Sequence, residues 1–523
     1  MATGCARRFL RRSVSVSLAF TTLFVASHAQ KPTPSFSPVV PRTWDEPALA
    51  DLEVPLAVPG HSPRYISAEE YYRLPVRPIY KSYPIYKSDR EPPGYTDWLR
   101  QQEPVILWDD GAHRPKLETE ADWIAAGELV FNAGVLFFPG ATATPEERRA
   151  FETGTGDIYD REGVGPFSPY VIRERGKIEV ADGSCRECHT RLMPDGTVIR
   201  GAQGNRPIEQ VAYFGLAAEA SKADNKERFL ADVREGQRRS FAVPWLKPDP
   251  NARLEHMSVA EIEAAHFAIP PGVFARQGTS PLSPAKMPDL IGVKDRRHLD
   301  ASGLVQHRSI GDLMRYAAIN QGMDMVARFG DFVPAGDRRE VGGGFFERTV
   351  DARYSDEQLY ALALFIYSLE PPSNPNPRDA LAVRGQQVFE AERCGTCHTP
   401  PLYTNNALLP APGFKVPEDH HGKFQILRRS IGTDPTLTRT TRRGTGYYRV
   451  PSLKGVWYRG PFEHNGSVAT LEDWFDQRRL GDDYVPTGWK GYGVPTRAVP
   501  GHEFGLKLSA DDKRALIAFL KTL

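Results

Sequence analysis

Four of the chain's five cysteines fall into two pairs of one form, Cys185/Cys188 in "CRECHT" and Cys394/Cys397 in "CGTCHT", and a histidine, His189 or His398, stands directly behind each pair. Cysteines at this spacing suit a redox disulfide, half of a zinc site or covalent attachment of haem. About 200 residues separate the two pairs, whereas the paired cysteines of a zinc site lie close in sequence. Neither the zinc nor the disulfide reading uses the histidines, and at 13 of 523 residues histidine is too sparse for chance to place one behind both pairs. Haem attachment uses all six residues. Both sulfurs add to the porphyrin vinyl groups, a tight helical turn sets them on one side, and the next imidazole becomes the proximal ligand of the iron. The motifs predict two covalently attached c-type haems, one on Cys185, Cys188 and His189, the other on Cys394, Cys397 and His398.

The N-terminus reads as an export signal, residues 1–29. Arg7, Arg8, Arg11 and Arg12 make a basic start, Val14 to Ala26 is apolar but short, and Ser27–Ala29 offers small residues for cleavage. The apolar stretch is too short to span a bilayer comfortably. Cys5 precedes it and leaves with it. Attachment of this kind of haem takes place outside the cytoplasm, so the expected location is periplasmic or otherwise exported. No other segment reads as transmembrane, so an integral membrane protein is not expected. The formal net charge of +1 gives no reason to expect nucleic acid as a partner.

The elements that must hold the motifs also repeat. "AAGELVF" (125–131) and "VRGQQVF" (383–389) share Gly-x-x-Val-Phe, with glycine where two helices could cross closely. "SDEQLYALALFIYSL" (355–369) aligns without a gap with "SADDKRALIAFLKTL" (509–523), and its Leu359, Leu362, Ile366 and Leu369 make one apolar helical face. Helix, haem motif and closing helix form the plan of a cytochrome c domain, seen twice. The expected fold is therefore mainly α: two tandem cytochrome c-like domains with long loops, 119–370 and 380–523, joined by a proline-rich linker at 371–379. Residues 30–118 read as a Pro/Tyr-rich extension carrying "PIYKS" twice, wrapped over the haem domains or serving as a docking arm.

The stretch "YYRVPSLKGVWYRGPFEHNGSVATLEDWF" (447–475) resembles the signature of the bacterial di-haem cytochrome c peroxidases. That superfamily also holds the methylamine-utilisation di-haem enzyme and the di-haem rubber oxygenase. The resemblance runs over about residues 120 to 523 and is tightest in the second half. It implies an N-terminal haem that reacts with peroxide or oxygen, and a C-terminal haem that relays electrons from a donor protein or small redox partner. It also implies calcium between the domains, with Arg459 and Pro461 where backbone carbonyls would bind it, Arg459 being a departure. His464 belongs to the matched signature and falls near the relay haem.

Two departures shape the expected site. The family's methionine ligand to the relay haem is missing, since no methionine follows Met325. His420, His421, His464 and His502 are the alternatives, and His502, in "GHEFGLKLS" before the last helix, is the expected iron ligand. Around the first haem no histidine lies between His189 and His256, and Met193 follows too closely to reach the opposite face, so an open or water-bound iron is expected. His256, Met257 and His266 are the residues that would otherwise close it, though they read as an ordinary helix surface. Trp245 and Asp249, in "SFAVPWLKPDP", are the candidate catalytic residues, Trp245 as pocket wall or electron path and Asp249 as a proton-transfer carboxylate. The leading function is a peroxidase-like oxidoreductase; a non-catalytic di-haem carrier and an oxygenase acting on an organic substrate are the alternatives.

Overall fold

Two helix pairs carry the repeat. Glu120–Asn132 starts on a Thr119–Asp122 capping box and packs along Asp356–Tyr367, itself capped by Ser355 and Gln358. Ala380–Ala391, capped by Asp379, packs in the same way along Ala510–Lys521, capped by Ser509. Each crossing has a glycine at its centre. A Cβ on Gly127 would lie 2.0 Å from the Ala361 carbonyl oxygen, and one on Gly385 would lie 1.9 Å from that of Ala515. The backbones touch, so no side chain fits. One turn further on, ring pairs fill the widening gap: Phe131 with Phe365 at 5.1 Å and Phe389 with Phe519 at 5.4 Å.

The computed structural model describes residues 36–140, 144–276, 278–336, 340–341 and 348–523; the expected signal peptide lies outside them. The expectation of a mainly α fold is corrected: helix makes up 34% and strand 13%, the strand spread over several small sheets. The largest has four antiparallel strands, in the order Ser82–Tyr86, Val164–Glu174, Lys177–Asp182, Leu136–Pro139. Two of them form a hairpin whose turn uses Gly176 at φ 84°. Alternation of apolar and polar residues in "KIEVAD" was the available signal; a reading built on the helical repeat passes over it.

The extension is part of the core. Trp44 stacks on Tyr71 (4.5 Å, 9°), and both are fully buried in the cluster that holds Leu359 and Phe365. The first "PIYKS" supplies a strand paired with Ile106–Trp108, and the second an edge of the four-stranded sheet. Residues 371–379 have no regular structure. Among the described residues no helix is long and apolar enough to cross a membrane.

The structure also exposes a repeat that the sequence reading missed. "KMPDLIGVKDRRHLDASGLV" (286–305) aligns without a gap with "RVPSLKGVWYRGPFEHNGSV" (449–468). Asp300 and Glu463 take left-handed φ of 70° and 68°, Gly303 and Gly466 follow at 65° and 72°, and Leu299 faces Val305 as Phe462 faces Val468. The copies embrace each other. Lys286 N donates to His464 O at 2.8 Å, and its counterpart Arg449 N donates to Ala301 O, the counterpart of His464, at 2.9 Å. The two halves therefore meet through a local two-fold relation.

Candidate haem sites

The first motif is a single helical turn, Cys185–Cys188, pinned from inside. Glu187 accepts from Gly183 N (3.0 Å) and from Arg206 Nη1 (3.2 Å). Arg206, 6% exposed, also donates to Ser168 Oγ (2.7 Å) and to both oxygens of Asp157 (3.2 and 3.1 Å). Burial and the nearby Asp182 push the Glu187 carboxyl up, with Arg206 pulling against them. Replacing Arg206 by methionine strands these carboxyls, and we expect it to cost about 3 kcal/mol. A fall in the chemical-denaturation midpoint, together with poorer haem incorporation at the first motif, checks this.

His189 leaves the turn with Nδ1 2.9 Å from Pro288 O. A carbonyl can only accept, so Nδ1 carries the proton and Nε2 keeps its lone pair for a metal. Burial lowers the ring's pKa to about 4, which holds it neutral. The second motif repeats the device: His398 Nδ1 lies 3.2 Å from Tyr403 O and 3.2 Å from Pro451 O. Pro451 is the counterpart of Pro288, so one repeat supplies both proximal histidines with their orienting carbonyl.

Opposite His398 stands His502. Their ring centroids are 6.2 Å apart, inclined by 57°. Two imidazoles on opposite sides of one metal, with metal–nitrogen bonds of about 2 Å and centroids about 1 Å further out, stand about 6 Å apart. The His502 backbone is set by its own N–H on Ile431 O (2.9 Å), by Arg479 on its carbonyl (3.0 Å) and by a left-handed φ of 46°. Its ring packs between Trp474 and Phe504 (5.3 Å each), and its buried Nδ1 has no partner. The alternatives are committed or remote. His420 meets Tyr447 OH (2.9 Å), His421 is exposed, and His464 Nδ1 is held by Glu463 (2.8 Å) with its ring against Tyr448. Burial would raise Glu463, but the bond from His464 and the Lys286 charge hold it at about 2. His464 thus sits at the junction of the halves.

The four motif cysteines form no disulfide with one another. Burial lifts Cys185 and Cys394 to about 11 and Cys188 to about 12, the reverse of a reactive redox pair. Cys185 packs against the first core, while Cys394 and Cys397 pack against separate clusters of the second half. Among the described residues no group of three or more His, Cys, Asp or Glu converges as a metal site, which leaves the zinc reading without support.

Of the residues that would close the first site, His256 is exposed and Met257 is buried in the cluster of Tyr213 and Ile262. His266 is fully buried, not on a helix surface as expected: its ring nitrogens meet Glu209 (2.5 Å) and Gln237 (3.2 Å), and it stacks on Tyr213. Trp245 lies in an aromatic stack between His61 (5.1 Å) and Phe329 (5.6 Å). Asp249 closes its own loop, accepting from Val243 N and Asn251 N at 2.8 Å each.

The sequence reading missed a polar pocket beside that stack, lined by Glu53, Tyr65, Tyr316, Asp324, Phe329 and Arg442, among others. Burial raises Glu53 to about 7, against the hydrogen bond from Tyr65 OH (2.5 Å). Asp324 Oδ1 is buried without a partner. The neighbouring π-helical turn, Ile319–Met323, brings Gln321 Nε2 to 3.8 Å from Cys185 Sγ. Glu53 comes from the extension, where no motif marks it.

The calcium implied by the resemblance does not fit these residues. Pro461 O already accepts from Gln203 Nε2 (3.0 Å), and Gly460 O accepts from the Arg191 guanidinium (3.1 Å). A divalent cation at Pro461 O would have to displace the Gln203 amide and sit one residue from the Arg191 guanidinium.

No protein-family model matches the chain. The chain is 26% identical over 166 residues to the cytochrome-c peroxidase IdrP1 of Pseudomonas sp. (strain SCT), covering 28% of this chain and 41% of that protein. It is 32% identical over 140 residues to the uncharacterised protein y4iM of Sinorhizobium fredii, covering 21% of this chain and 32% of that one. The chain thus spans well under half of these relatives. Among solved structures, it is similar to a Kuenenia stuttgartiensis hydrazine synthase (TM-score 0.27, 17% identity, 56% of this chain and 87% of that chain). It is also similar to a MauG-like protein associated with microbial copper homeostasis (TM-score 0.28, 18% identity, 58% and 88%).

Proposed function

We propose that the chain is an exported di-haem c-type cytochrome with peroxidase-like activity, in which an open first haem reacts with peroxide or oxygen and a bis-histidine second haem delivers electrons from a redox partner. One contrast carries this reading: His398 faces His502 across the span of a single metal, whereas His256, Met257 and His266 are all placed away from such a role at His189. Haem bound at the motifs would supply the one-electron chemistry. The chain's own residues do the rest. Pro288 O and Pro451 O fix both proximal imidazoles in the ligating tautomer. Trp245 stacks on Phe329, which lines the pocket of Glu53, and Glu53, raised to about 7 by burial, is suited to acid–base work in that pocket. Proton transfer through Asp249 would require it to release two backbone amides.

Electron paramagnetic resonance on the oxidised, haem-loaded protein tests the reading. One high-spin and one low-spin haem, with peroxide turnover supported by an electron donor, is the expected result. Two low-spin haems with no turnover would instead make the chain an electron carrier, and product formed from oxygen without a donor would make it an oxygenase.

A further inference from the structure

A cluster of positive charge lies where the two halves meet. Lys286 and Arg296 come from the first half, and Arg449 and Arg459 are their counterparts in the second. They are close enough to feel one another. Lys286 falls to about 8 through burial and then the charge of Arg459, with Arg449 adding to it; Arg449 falls to about 9 through burial, Arg296 and Arg459.

The anions nearby do not balance it. Asp289 meets Tyr458 OH (3.1 Å) and lies 3.7 Å from Arg459 Nε; Glu463 is bonded to His464; and Asp300 is paired with Arg443 at 2.7 Å. Arg296 and Arg459 each donate to the matching backbone carbonyl, Asp289 O (2.5 Å) and Ser452 O (2.8 Å); Arg296 also donates to Ile291 O (2.9 Å), and Arg449 Nε to Asp300 O (3.3 Å). Arg449 Nη1 and Arg459 Nε are buried with no hydrogen-bond partner. Buried cationic donors without acceptors are costly, so the cluster is suited to carboxylates from outside the chain.

We propose that this two-fold cluster receives the propionate carboxylates of both haems, and that its lysine and arginines take the place that calcium holds in the resembled family. The inference rests on the di-haem reading. Each half contributes one pair of cations, from the same repeat whose Pro288 and Pro451 carbonyls orient the two histidines. Arg191 on the Gly460 carbonyl adds a further protein cation at the junction.

The test is a potentiometric titration of the haem-loaded protein, wild type against Lys286→Gln and Arg449→Gln, one variant from each half, with Arg449→Lys as the conservative control. Removing a positive charge beside the propionates favours ferric haem, so both Gln variants are expected to lower the midpoint potentials, with spin states unchanged, while Arg449→Lys stays near wild type. The thermal midpoint of the wild type is expected to be the same in EGTA and in millimolar calcium chloride. Unchanged potentials in a folded Gln variant, or a calcium-dependent rise in the wild-type thermal midpoint, overturns the proposal. Haem content, measured first, separates this from a failure of the di-haem reading itself.

Discussion

Replacing His502 by methionine raises the midpoint potential of one haem by on the order of 0.1 V and leaves the other where it was. His/Met ligation favours ferrous iron relative to His/His, and the His502 ring alone faces His398 at the distance two axial ligands require. Replacement by alanine has a different signature: the low-spin signal disappears and the high-spin signal doubles. Trp474 and Phe504 pack on the ring but offer no ligand atom. Optical titration of the methionine variant and electron paramagnetic resonance of the alanine variant check the two outcomes. A low-spin haem that survives His502→Ala would remove His502 from the iron, and the paired-ligand site with it.

Gly385→Ala is expected to destabilise the second half by about 3 kcal/mol or more. The new methyl would lie 1.9 Å from the Ala515 carbonyl oxygen and 2.7 Å from Phe519 Cβ. The first of these is backbone, so it moves only if the helices separate, and separation opens the buried contacts of Phe389, Leu516 and Phe519 around Cys394. Gly127→Ala should act likewise on the first half, where the clash is with Ala361. Gly422→Ala is the matched control, since nothing lies within 4 Å of a Cβ there. Chemical denaturation of the three variants checks the prediction. A Gly385→Ala protein within about 0.5 kcal/mol of wild type would mean that the close crossing is not required.

Much of the arrangement was legible because covalent chemistry and close packing write themselves locally. Cys-x-x-Cys-His needs no tertiary context to be recognised, and a glycine at the same place in two like helices betrays a backbone crossing. His502 was singled out by elimination and by its place before the last helix, and its ring lies 6.2 Å from that of His398. The repeat over 286–305 and 449–468 was equally present in the letters, in Pro288/Pro451, Gly292/Gly455 and Arg296/Arg459. It passed unseen because only its second copy matches a familiar signature. The strand content was missed for a related reason: short strands such as Leu136–Pro139 are set by partners far along the chain, and local pattern is a weak guide to them.

The sequence by itself pointed to two like motifs whose residues suit haem, and to the helices that cross beside them. Only the tertiary structure decided what faces what. His398 meets His502 across more than a hundred residues, Glu53 reaches the pocket of Asp324 from an extension with no motif, and Arg191 puts a guanidinium on the Gly460 carbonyl, between the two residues where calcium was expected. Ligand type follows from the chemistry of a side chain, which is local. Which side of a metal it stands on, and whether a buried charge finds its partner, depend on how distant segments pack.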